Sequence, residues 1–178
     1  GDVLAQSRHM LEGQWGIQTL EVPQSRVCEM ESFAWFACHL LAQLPRFQQD
    51  YNSLVSEYRH AHGIRSRAHP VPDLAAEGDW LEAPFWVWTQ ADPQRRRLFA
   101  CRKAGQLRLS DLQHWEVGLP LDDRSDLGPA AARFHELAAE GIKIRSRALV
   151  TTLWARLILG DLFFHGIGGA KYDQLTDG

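Results

Sequence analysis

The chain has 178 residues, enough for one domain with a compact radius of gyration of roughly 16 Å. Hydrophobic residues make up 45% and charged residues 23%, which excludes intrinsic disorder, and only 14 Gly and 8 Pro exclude collagen-like or low-complexity sequence. Nineteen Lys+Arg against 22 Asp+Glu give a net charge of −3, so whole-surface attraction to nucleic acid or anionic lipid is not expected, although a local patch stays open.

Val3 to Leu11 has weak helical spacing, and Ile17 to Val22 alternates like a short strand. Ser32 is placed to cap a helix carrying Phe33, Phe36, Ala37, Leu40, Leu41 and Leu44 on one stripe. Pro45 suits a first helical position, and the next helix sets Phe47, Tyr51, Leu54, Val55, Tyr58 and His62 at helical spacing before Gly63 stops it. The two make a helical pair over 32–62. His69-Pro70-Val71-Pro72 then reads as an extended connector, because residues before proline avoid the helical region. From Phe85 the period becomes two. Phe85 to Thr89, Arg96 to Lys103 and Gln106 to Ser110 predict a three-stranded antiparallel meander over 85–110, turning at Ala91-Asp92-Pro93-Gln94 and Ala104-Gly105. Leu107 and Leu109 alternate with Arg108 and Ser110, which places the third strand at a half-exposed edge. The first strand is apolar on both faces and needs cover on each. Pro129 to Ala139 predicts a short helix stopped by Gly141. Ser146 is positioned to cap a buried central helix ending near Phe164, with Arg156 and Asp161 each requiring a partner inside it.

The expectation is an α+β fold, a mostly helical fragment with a small three-stranded antiparallel meander. Residues 1–178 read as one domain, the C-terminal part of a longer protein, since the chain opens on Gly1 and stops at Gly178 within an element. Cys28, Cys38 and Cys101 are odd in number and lack a CxxC pair, which supports neither a disulfide framework nor a structural zinc site and suits a cytoplasmic location. No metal is expected. Gly1 to Trp15 is not a signal peptide, and Ala148 to Phe164 is interrupted by charges and short of the ~20 residues of a membrane span.

Three stretches could carry chemistry. The first is the buried helix and Gly loop of 146–173, ending in Asp161-Leu-Phe-Phe-His165-Gly166-Ile-Gly168-Gly169-Ala-Lys171-Tyr172-Asp173. Glycines let backbone approach a ligand, free amides at a following helix start attract an anion, and Lys171 adds charge. Asp161 lies four residues before His165, so a carboxylate could orient an imidazole acid/base. The same glycines equally suit a helix stop. Neither a P-loop nor a hydrolase nucleophile elbow fits the spacing. The second stretch runs from Tyr51-Asn52 through Arg59, His60, His62 and Arg65 to His69, a basic edge that could clamp phosphate or carboxylate, or a structural helix end. The third is Arg95-Arg96-Arg97 with Arg102, Lys103 and Arg108, near Trp86 and Trp88. Such a sheet could bind single-stranded nucleic acid, but solvated charges after a turn are ordinary, and nucleic acid is not expected as a partner.

Tyr51-Asn52, Tyr58-Arg59-His60, Ile64-Arg65, His69-Pro70-Val71-Pro72, Pro84-Phe85-Trp86 and above all the Asp161 to Asp173 motif are similar to a bacterial family of the kind found in planctomycetes. That family in turn resembles, at a distance, the cysteine-adding enzyme of bacillithiol synthesis, with a Rossmann-like nucleotide-binding core. The resemblance implies a ligase- or transferase-like enzyme; Ala170-Lys171 in place of that enzyme's Pro-Gly departs from its loop. It points to an anionic small molecule, a nucleotide or carboxylate, held by Gly166, Gly168, Gly169, Lys171, Tyr172 and Asp173 with Arg59, His60, Arg65 and His69, and to His165 and Asp161 as catalytic. The cofactor is left open. The alternative is a non-catalytic module that packs on the remainder of its own chain.

Overall fold

The computed structural model describes residues 2–121, 126–164 and 166. Helix α1 (Asp2–Gln14) and the short α2 (Gln24–Val27) precede α3 (Glu31–Ala42) and α4 (Leu44–Ala61). A connector leads to β1 (Ala76–Glu77), β2 (Trp80–Thr89), β3 (Arg96–Lys103), β4 (Gln106–Ser110) and β5 (Glu116–Leu119). Helix α5 (Gly128–Glu136), β6 (Ile142–Ser146), α6 (Ala148–Trp154) and a π-helical turn (Ala155–Leu159) complete the order. The fold is α+β, as the mixed periodicities predict.

Among the described residues the sheet is larger than a three-stranded meander: six antiparallel strands, with β2 pairing to three of the others. One edge of β2 pairs with β3, and the other is shared by β1 at its start and β6 at its end. Three strands escaped the sequence pattern: β1 has only two residues. Gly118 interrupts the four-residue β5, and β6 is only five residues long, too short for a firm period. Addition of β5 moves β4 from the edge to an interior position, with Leu107 opposite Leu119. The first strand extends back to Trp80, so its apolar run lies between neighbours on both sides.

Phe85 and Val87 point to the buried face of β2, with Leu98 and Ala100 on β3, Leu107 and Leu109 on β4, and Ile142 and Ile144 on β6. Onto this face α3 delivers Phe33, Ala37, Cys38 and Leu41, and α5 delivers Ala130, Ala131 and Phe134. Phe33 meets both Phe85 and Trp154 edge-on, with 6.2 Å between ring centroids in each case. Helix α3 starts at Glu31, one residue before Ser32, and its N-cap is Met30. Helix α4 carries Pro45 in its first turn as predicted.

Two further expectations are corrected. Ile17 to Val22 is not a strand: alternation alone cannot make one without a neighbouring backbone to pair with, and these residues lie exposed apart from Glu21. Ser146 does not cap a long buried helix; it is the last residue of β6, opposite Phe85. Helix α6 therefore begins after Arg147, and only Val150 and Trp154 are buried. Beyond it the run emerges, with Leu157 65% and Phe164 83% exposed. Among the described residues, no helix is long and apolar enough to cross a membrane.

Candidate functional site

In an antiparallel ladder, directly opposed residues project to the same side. Trp86 faces Arg97 on β3 and Arg145 on β6, while Trp88 faces Lys143. The face turned away from the α3/α5 layer thus gathers Trp86, Trp88, Arg97, Lys143 and Arg145, with Arg95 and Arg147 at the strand ends. The geometry is layered. Arg147 lies 4.4 Å from the Trp86 ring centroid, and Arg95 and Arg145 lie 5.2 and 5.6 Å from that of Trp88. Arg97 lies 5.4 Å from the ring of Phe99. All fall within the ~6 Å over which a cation is attracted to a ring face.

Carboxylates order this layer from beneath and beside. Glu82 is 1% exposed and is satisfied on every side. Its Oε2 accepts from Arg97 at 3.2 Å and from the Ala75 backbone N–H at 2.9 Å, and its Oε1 accepts from Arg147. The Nε of Arg147 is buried and, among the described residues, has no hydrogen-bond partner. Glu29 accepts from Arg145 at 2.9 Å and Lys143 at 3.4 Å. Burial pushes the Glu29 carboxyl up, but these two cations outweigh it and hold it below its usual value. Arg95 is exposed and, among the described residues, has no ion pair. Five cations against two carboxylates leave an excess of positive charge on this face of a net-negative chain.

The predicted basic edge has a different place. Arg59 spends its guanidinium on the connector: Nε donates to the His69 carbonyl at 3.0 Å, Nη2 to the Arg67 and Val71 carbonyls, and Nη1 pairs with Asp73 at 2.7 Å. Asn52 mimics a backbone partner, donating to the Leu74 carbonyl at 2.9 Å and accepting its N–H at 2.8 Å. Tyr51 donates to the Pro72 carbonyl at 3.4 Å, and burial pushes its phenol up to about 12. These side chains strap the connector to α4. His60, Arg65 and His69 lie exposed around it, and His62 packs on Tyr58 with centroids 4.2 Å apart.

Of the loop residues, Asp161 is exposed in a bend, and space is open where Gly166 would carry a side chain. His165, Gly168, Gly169, Lys171, Tyr172 and Asp173 lie outside the described residues. Of the third stretch, Arg95 and Arg97 join the tryptophan face. Arg96 turns to Asp92 and Asp111, Arg102 donates to the Ala42 and Leu121 carbonyls, and Arg108 pairs with Glu116. Sequence reasoning missed Lys143, Arg145 and Arg147, although Ile142 and Ile144 alternate with Lys143 and Arg145.

The remaining reactive groups are quiet. All three cysteines are free and buried, and burial raises each thiol, Cys38 to about 12, which disfavours a thiolate nucleophile. His9, Glu12 and Glu21 bring ligand atoms within 4.8 Å of one another, but Arg8 already pairs with both carboxylates. No protein-family model, curated protein or solved structure matches the chain.

Proposed function

We propose that the chain is a binding module for an anionic ligand, with the arginine–tryptophan face as its site. The observation that supports this is the stack of Arg95, Arg145 and Arg147 on Trp86 and Trp88. A guanidinium held beside a ring has lost much of its rotamer freedom, so exposed Arg95 can offer its donors to an anion at reduced entropic cost. Arg145 and Arg147, largely buried and paired with Glu29 and Glu82, support the tryptophans beneath it. Glu29 and Glu82 fix the arginines and, among the described residues, leave Arg95 without an ion-pair partner. Calorimetric titration with inorganic polyphosphate tests the reading. Binding that weakens in Arg95→Ala supports it, and a flat titration at low salt refutes it. Lys171→Ala in the same titration tests an anionic small molecule at the glycine loop.

A second reading is a non-catalytic module that packs on the remainder of its own polypeptide. It draws on exposed apolar side chains in 3–22, among them Leu4, Met10, Trp15 and Leu20, and in 157–164, among them Leu157, Leu162 and Phe164. Contiguous exposed apolar surface marks interaction sites. Concentration-independent monomer behaviour, with no dye binding at these segments, would count against it.

A further inference from the structure

Resting on the anion-binding reading, we infer that the ligand of this face is a single-stranded nucleic acid, its phosphates on Arg95, Arg97 and Lys143 and a base stacked on the exposed Arg95 guanidinium beside Trp88. The cations do not converge on a point. Lys143 and Arg145 on β6 and Arg147 just past its end come at every second residue, a repeat of ~6.7 Å in an extended strand, and Arg95, just before β3, and Arg97 repeat this on the far side of β2. Two parallel rows with tryptophans between them suit a linear polyanion better than a compact one.

The bases follow from the stacking. Nucleobases stack on aromatic rings and equally on guanidinium planes. Arg95 is exposed, with its Cζ 5.2 Å from the Trp88 ring centroid, so its guanidinium plane is within reach of a base. An inorganic or sulfated polymer has no use for that surface. Duplex fits poorly, because its grooves admit a helix or a two-stranded ribbon, not the face of a six-stranded sheet. The negative net charge is no obstacle, since binding of this kind depends on local charge within a screening length of ~8–10 Å.

The test is fluorescence anisotropy with labelled deoxythymidylate and uridylate oligomers of about 12 nucleotides, within the site sizes of sheet-based single-strand binders. Binding of either single strand supports the inference if the salt slope is about −2, as expected for three phosphate contacts at ~0.7 each. The double variant Arg95→Ala/Lys143→Ala, checked by circular dichroism for an intact fold, should bind at least ~10-fold more weakly and lose more than half of that slope. Base stacking should quench tryptophan fluorescence, and inorganic polyphosphate should not. If polyphosphate binds as tightly as the oligomers and quenches equally, the face is a general anion site and the nucleic-acid inference fails alone. If duplex outcompetes single strands, or the folded double variant binds unchanged, the inference is also overturned. If no polyanion binds, both readings fall together.

Discussion

Arg147 lies over the ring of Trp86, its Cζ 4.4 Å from the centroid, while its guanidinium reaches the buried Glu82. One side chain thereby joins the half-buried Trp86 to a fully buried carboxylate. The Glu82 contact desolvates the arginine on one side, and the indole shields it on another. The pair ties the sheet face to the buried carboxylate: loss of either partner should loosen the whole cation row.

Glu82→Ala should therefore be severe. It would leave Arg147 with its counter-charge removed and the Ala75 N–H without its acceptor, and breaking a buried pair costs about 3–5 kcal/mol. Chemical denaturation gives the number. A loss below ~1 kcal/mol would mean that water replaces the carboxylate with ease.

Trp154→Ala should cost about 3–5 kcal/mol, because the ring is 2% exposed and wedged beside Phe33. Trp154→Phe should cost distinctly less. The Trp154 Nε1 is buried without a partner, so the phenyl ring removes an orphan donor together with the lost area. Equal losses in both variants would show that the indole N–H finds a partner in solution.

Asp111 governs part of the acid limb. Burial pushes its carboxyl up, but N–H donors of Gln113, His114 and Trp115, with Arg96 nearby, outweigh this and hold it below the ordinary 3.8. A carboxyl lowered in the folded state binds its proton more readily when unfolded. Its stabilisation is complete above the ordinary value and is lost as pH falls through the lowered one. Asp111→Asn should flatten the stability profile below pH ~4 and leave its slope near neutrality unchanged. An unaltered acid limb would remove Asp111 from the titration.

Ala104 sits at φ +52° and Gly105 at φ +75°, the two central positions of the β3–β4 turn. Left-handed backbone costs an alanine roughly 1 kcal/mol, and asparagine tolerates it better. Ala104→Asn should raise stability by ~0.5–1 kcal/mol, seen as a higher denaturation midpoint with the same denaturant slope. A fall in midpoint would mean that the turn does not hold this geometry.

Much of the framework was legible in the sequence where a long period met a clear stop. The stripe from Phe33 to Leu41, Pro45 at the start of α4, and Ala104-Gly105 between β3 and β4 all carried their own signals. Failures came where tertiary pairing decided. Ile17 to Val22 alternates without a strand beside it, whereas Ile142 to Ser146 alternates just as briefly and has β2 as a neighbour. The apolar run after Ser146 suggested burial, yet α6 turns away after Trp154. The basic cluster at Arg59 was visible as chemistry, but its task of holding the connector needs the fold to bring the Val71 carbonyl and Asp73 to it. The arginine–tryptophan face was half legible, since its cations come from segments separated by some forty residues.

The distant origin of β6 also has a kinetic meaning. Strand β2 meets β3 across a short turn, but it meets β6 only after the whole stretch 90–141 has been crossed. Closing a long loop is slower than closing a hairpin, so the β2–β5 meander should assemble ahead of β6. During that interval Trp86 and Trp88 lack the arginines of β6, and the bare edge of β2 is open to another chain. Refolding should then show a tryptophan signal that settles after sheet formation, with Ile144→Ala slowing the late step alone. The last strand to arrive would both complete the charge row and close the edge through which the chain could aggregate.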